Sequence, residues 1–200
     1  MNLYGYVGND PLNATDPNGM YGRGSGWTDK DWKKFDTQQK QVAKDMRKTS
    51  SNLRDRSRST RMPRERAQQK EMADSLDKGA ATLENDGSDG KTLANLVSAD
   101  FMKNVGSTPD AAANTPRGST VINVNKDHWS WKEDDSKFMR WTYGHESLHA
   151  GAKLRDEKWG PTGKVAYRFG TEGEQDAYRS MTGTDQAARN PDHIMSEVYP

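Results

Sequence analysis

The chain has 200 residues, a formal net charge of +1, no cysteine and a mean hydropathy of -1.14. The missing cysteine excludes disulfides, thiolate metal sites and cysteine nucleophiles, and no apolar run is long enough to span a membrane or to serve as a signal peptide. Leu, Ile, Val and Phe make only about 12% of the chain, so six Trp and seven Tyr are expected to supply a small aromatic-rich core with long polar segments around it.

Residues 2–20 read NLYGYVGNDPLNATDPNGM. Tyr4, Tyr6 and Val7 suit a short strand, and Asn-Asp-Pro and Asp-Pro-Asn-Gly are turn signals. The wording Tyr6-Val7-Gly8-Asn9-Asp10-Pro11 followed by Asp16-Pro17-Asn18-Gly19-Met20 resembles the end of the core of RHS/YD-repeat proteins, with Met20 in place of the usual Leu. The resemblance covers about a tenth of the chain. It implies that residues 21–200 are a C-terminal toxin domain, freed from an RHS shell by a cut between Met20 and Tyr21. It also implies encapsulation before delivery, secretion into a competing cell by a type VI system, and a cognate immunity protein.

Residues 21–26, YGRGSG, read as a flexible linker. A helix then opens with Thr28 as N-cap, Asp31 at the third helical position, and a hydrophobic staple of Trp27 on Trp32. Trp32, Phe35, Val42 and Met46 form its sparse apolar stripe. Residues 47–70 carry nine Lys or Arg against Asp55 and Glu65, with turn-like Ser-rich stretches over 49–60. Such a run could meet nucleic acid or anionic lipid, but is more often a solvated face. A second polar helix starts near Pro63, with Met72, Leu76 and Leu83 on one face, and NDGSDG ends it. KTLANLVSADFMKNV, 91–105, reads as a third helix, so 27–110 is a polar, basic, helical segment. GSTPDAAANTPRG is a loop. STVINVN, 119–125, is the one clear strand of the later part, expected either as an edge strand that pairs with substrate or as a plain core strand.

The catalytic region, 111–200, holds His145-Glu146-Ser147-Leu148-His149, an HExxH sequence. Its helix is expected to start near Asp135 or Ser136, with Gly151 just past its end. Histidines four apart lie on one helix face, so both imidazoles can meet one Zn2+. Glu146 then stands beside the metal as general base for zinc-bound water, whose pKa zinc lowers to roughly 7. The flanks are those of zinc peptidases: Thr142 before the first histidine, and the uncharged Ser147, Leu148 and Ala150 within and after the motif.

For the third ligand Asp156 comes first, seven residues past His149. The stretch Asp156-Glu157-Lys158-Trp159-Gly160 resembles the Asp-x-x-Tyr-Gly of aspzincins such as deuterolysin, and Ala188-Arg189-Asn190-Pro191-Asp192-His193 is similar to their Asn-Ala-Asp. The spacing is shorter than theirs. Trp159 replaces a tyrosine whose hydroxyl would stabilise the oxyanion, leaving Tyr167, Tyr178 and His193 as candidates for that role. Glu172 with Asp176 one turn on resembles the thermolysin arrangement, so Glu172 or Glu174 comes second as ligand and His193 third. After Gly-Pro-Thr-Gly, VAYRFG is a short strand or loop, EGEQDAYRSM a helix, and NPDHIMSEV a final helical turn.

The expected fold is α+β, mostly helical with a small sheet and a zincin-like active-site helix. The expected function is that of a secreted RHS effector for interbacterial competition, a zinc metallopeptidase acting on a target-cell protein or peptide. A metal-dependent nuclease is the alternative, although no HNH-like arrangement is visible.

Overall fold

The structure, a computed structural model, describes residues 21–133 and 136–200. The strand and turns expected over 2–20, the residue Met20 at the expected cut, and Asp135 as a helix start lie outside the described residues. The architecture is α+β and mostly helical, as expected, with one four-stranded sheet.

Helix α1 spans Asp29–Ser59. Thr28 caps it: its hydroxyl accepts from the Asp31 N–H at 3.1 Å and donates to the Asp31 carboxylate at 2.6 Å. Trp27 packs edge-on against Trp32, with ring centroids 5.3 Å apart, which completes the staple. The turns expected over 49–60 are absent, and α1 runs unbroken to Ser59. Arginine is a good helix former, and two of the serines, Ser50 and Ser57, turn inward. Ser50 donates to Ala73 O at 3.0 Å and Ser57 to Arg54 O at 2.7 Å. Small inward residues let α2, Pro63–Leu83, lie close against α1 and bury Ala73, Leu76, Ala80 and Leu83.

Four of the nine basic residues of 47–70 pair with acids of other elements. Arg47 meets Asp77 and Glu84, Arg54 meets Asp74 and Asp77, Arg56 meets Glu197, and Arg64 meets Asp185. Each exposed pair contributes little stability, but together they offset part of the local charge.

Two expectations fail in the sheet. The supposed linker is structural: Tyr21 is fully buried, and Gly22–Arg23 form strand β1, parallel to β2, Leu93–Val97. The Gly22 and Gly24 N–H groups donate to Thr92 O and Ala94 O, and the Trp27 indole donates to Ala94 O at 2.7 Å. The third helix read over 91–105 is instead β2 followed by the short helix α3, Ala99–Asn104, capped by Ser98. Pairing on both sides of β2 overrides local helix propensity. The Asn95 side chain completes it by accepting from Ser25 N at 2.9 Å and donating to Asn123 at 3.2 Å.

Strand β4, Ile122–Asn125, pairs parallel with β2 and antiparallel with β3, Ala113–Asn114. The order is β1-β2-β4-β3, so the STVINVN strand is interior and fully buried. The edge strand is β3, from a stretch read as loop.

A turn of 3₁₀ helix over Trp129–Lys132 leads to α4, Lys137–Ser147, capped by Ser136. The wider π-helical turn Leu148–Ala152 continues α4. Helices α5, Glu172–Met181, and α6, Pro191–Val198, finish the fold. One hydrophobic core runs from Tyr21 to Met195, so the segments 27–110 and 111–200 share it. Among the described residues no helix is long and apolar enough to cross a membrane.

Gly151 is not the residue past the helix end; that position is Lys153, left-handed at φ 58°. Gly151 instead admits α2: a Cβ there would stand 2.1 Å from Thr82 Oγ1 and 2.5 Å from the Lys78 carbonyl. Gly151→Ala is therefore expected to lower stability by about 1–3 kcal/mol. Gly160→Ala, with open space around it, should stay within about 0.5 kcal/mol. Urea denaturation midpoints of the two variants check this.

Candidate metal centre

His145 lies in the last turn of α4 and His149 in the π-helical turn that follows. Their Nε2 atoms are 2.9 Å apart. The left-handed Lys153 then reverses the chain. Its first consequence is that the Leu154 carbonyl comes back to His149 Nδ1 at 2.9 Å. The second is that Asp156 Oδ1 reaches 3.4 Å from Nε2 of both histidines.

A small hairpin fixes Asp156. Lys158 bridges Val165 antiparallel, with Trp159 N donating to Lys164 O and Ala166 N to Glu157 O, both at 2.9 Å. One step further along that register, Asp156 stands opposite Tyr167, whose hydroxyl donates to Asp156 Oδ2 at 2.8 Å. Helix α6 supplies Asp192 from the other side. Its Oδ1 lies 2.7 Å from His145 Nδ1, and its Oδ2 accepts from Arg168 N at 2.5 Å. Gly144 permits this approach of α6, since a Cβ there would stand 2.2 Å from Met195 Cε.

These partners decide the tautomers. The Leu154 carbonyl at His149 Nδ1 demands an N–H there, and the Asp192 carboxylate, a 2.7 Å charge contact rather than a well-formed hydrogen bond, favours one at His145 Nδ1. Each neutral imidazole then presents a bare Nε2 lone pair to the same point, where Asp156 Oδ1 adds a third acceptor that is buried and has no well-formed hydrogen bond. Three acceptors converge without a donor, an arrangement that suits a cation. In a tetrahedral zinc site, donor atoms at about 2.0–2.1 Å from the metal stand roughly 3.3 Å apart, and the observed triangle of 2.9, 3.4 and 3.4 Å is close to that. Among the described residues this trio is the one group of acidic or histidine side chains with metal-ligand spacing.

Without a metal, the electrostatics let a proton supply the charge that this convergence calls for. Burial pushes the His145 imidazole down, but the Asp156 and Asp192 carboxylates outweigh it and hold His145 well above the ordinary histidine range; His149 is also raised, chiefly by Asp156. Burial alone would raise Asp156, but the two imidazoles bring it far below the usual carboxylate range. Burial, then the Asp156 charge, keeps the Tyr167 phenol protonated.

Glu146 is buried beside the trio and lines the same cleft, about 1220 Å³ in volume. Thr115, just past edge strand β3, donates to the Glu146 backbone carbonyl at 3.3 Å and ties the sheet edge to α4.

The other candidates lie elsewhere. Glu174 closes the capping box of α5 on Thr171, Asp176 pairs with Arg179, and Glu172 is exposed on the same first turn. None of them lines the cleft. Tyr178 stacks on His193 at 4.0 Å and bonds Ser196, while His193 Nε2 faces Tyr178 O and Thr182. Of the candidate oxyanion stabilisers only Tyr167 lines the cleft. Trp159 packs against a small cluster of Ala166, Ala177, Met181 and Ala187. Asp192 carried no role in the sequence reading. The stretch Asn190-Pro191-Asp192-His193 was its only signal there, and it did not say which imidazole the carboxylate meets.

No family model matches the chain, and neither a curated protein nor a solved structure matches it.

Two outcomes are expected. Asp192→Ala should weaken zinc binding about 10- to 100-fold, whereas Glu172→Ala and Glu174→Ala should leave it unchanged, as read by competition with a chromophoric chelator. A proton on either raised imidazole must leave before its lone pair can bind metal. Zinc uptake at pH 7 should therefore release protons, and affinity should rise with pH beyond the ordinary histidine value of about 6.5. Calorimetry in buffers of different ionisation enthalpy measures the protons released.

Proposed function

We propose that the chain is a zinc-dependent peptidase, with His145, His149 and Asp156 as metal ligands and Glu146 as general base. The observation that carries this reading is the convergence of three acceptor atoms whose tautomers and orientations are already fixed from behind. A bound zinc ion would supply Lewis acidity and a water acidic enough to act as nucleophile at neutral pH.

The rest is the work of the chain. Glu146 takes a proton from the attacking water and passes it to the leaving amine, which completes general acid–base catalysis. Tyr167 and Asp192 are positioning residues: the first turns Asp156 so that Oδ1 faces the histidines, the second holds the His145 ring. Edge strand β3 lines the cleft with Ala113 and Asn114, and an extended peptide can add to it as a further strand.

The biological setting we propose rests on the resemblance of residues 2–20 to the end of an RHS core. The domain would be a secreted toxin, released by a cut between Met20 and Tyr21 and held in the shell until delivery by a type VI system. A cognate immunity protein would cover the cleft. Tyr21, buried at the start of the sheet, would keep its place after the cut.

Glu146→Gln should retain zinc at the wild-type stoichiometry and lose at least about 100-fold in turnover. Asp156→Ala should lose the metal. Wild type and Glu146→Gln are expressed in sensitive cells and their new protein N-termini compared by mass spectrometry. Termini that appear only with wild type support the reading. Degradation of DNA or RNA by wild type and not by Glu146→Gln would contradict it in favour of a nuclease.

A further inference from the structure

Among the described residues few large apolar side chains are strongly exposed, and two of them stand together at one side of the cleft. They are Trp129, 58% exposed, and Phe169, 55% exposed. Behind them the rings form a continuous series that ends at the metal centre. Trp129 lies 5.5 Å from Phe138, Phe138 6.5 Å from Trp141, and Trp141 5.2 Å from His145. The Trp141 indole N–H is buried with no hydrogen-bond partner. Leaving rings this large in water is unfavourable, and a clustered exposed patch beside a cleft marks a binding surface.

The shape of the patch says what it binds. Phe138 and Trp141 are nearly parallel at 19°, while Phe169 meets them at 67° and 81°. Two walls at about right angles enclose a side chain from two sides.

We propose that this corner is a specificity subsite for a bulky apolar or aromatic side chain adjoining the scissile bond. The inference rests on the peptidase reading for its reaction and on the ring geometry for its ligand. The substrate is an extended peptide with its main chain along β3 and a Phe, Leu, Met or Tyr side chain against Trp129, Phe138 and Phe169. Phe169 lies 5.1 Å from Trp141, and Trp141 lies 5.2 Å from His145, so on this proposal the recognised residue sits on the Phe169 side of the bond that is cut.

The test uses zinc-loaded chain with quenched fluorescent peptides that differ only in Phe or Ala beside the cleaved bond. Wild type should cleave the Phe peptide on the order of 10- to 100-fold faster in kcat/KM. Trp129→Ala and Phe169→Ala, both at exposed positions, should each remove most of that preference, read as the ratio of kcat/KM for the Phe peptide to that for the Ala peptide. In parallel, acetyl-phenylalaninamide and acetyl-alaninamide are titrated into Glu146→Gln, with tryptophan fluorescence as readout. The Phe probe should bind more tightly, and Trp129→Ala should abolish the difference. Equal cleavage of both peptides, or equal binding of both probes, overturns the subsite. Selective binding of the Phe probe without cleavage of any peptide by wild type overturns the peptidase reading and leaves the subsite standing.

Discussion

Three lone pairs pointing at one spot are costly in a buried place, and the candidate site is built around that cost. Two imidazole nitrogens 2.9 Å apart and a carboxylate oxygen 3.4 Å from each repel one another unless positive charge sits among them. The raised histidines and lowered Asp156 report the same demand: the site draws in protons when nothing else supplies charge. Everything nearby keeps the demand in place. The Leu154 carbonyl and Asp192 fix the imidazoles, Tyr167 fixes Asp156, and the left-handed Lys153 lets the chain return within seven residues of His149.

Holding such a site takes a rigid frame, and this chain makes one with few branched apolar residues. The α1–α2 hairpin supplies it. Its inner face uses Ala, Ser and Met beside a few Leu and aromatic residues, so the helices approach closely. The outer face carries arginines paired to acids. The π-helical turn bearing His149 packs on α2 through Gly151, so the frame and the His149 imidazole are coupled by one close contact. Among the aromatic residues, Trp27, Trp32, Phe35 and Tyr143 join in core ring contacts, and Trp129, Phe138, Trp141 and Phe169 line the cleft.

Local signals were legible where a side chain acts on its own segment. The Thr28 cap, the tryptophan staple, the start at Pro63 and the i, i+4 pairing of His145 with His149 all rest on neighbours in sequence. Asp156 could be named as first choice because a short return after the helix end keeps it near. What failed depended on distant partners. Residues 93–97 became a strand because β1 and β4 flank them, and YGRGSG became structural because Thr92 and Ala94 accept its N–H groups. The Ser-rich part of α1 stayed helical because Ser50 finds a buried acceptor on α2 and Ser57 and Ser59 bond carbonyls of α1 itself. Asp192 acts across a helix contact that no spacing rule reports.

The account stands on a metal held by His145, His149 and Asp156, and X-ray absorption at the zinc edge tests that most directly. After one equivalent of zinc is added, it should show imidazole scattering from two ligands, with nitrogen and oxygen donors at about 2.0–2.1 Å. His149→Ala should remove one imidazole from that signal. A fully hydrated ion, or a spectrum that His149→Ala leaves unchanged, would contradict the metal centre.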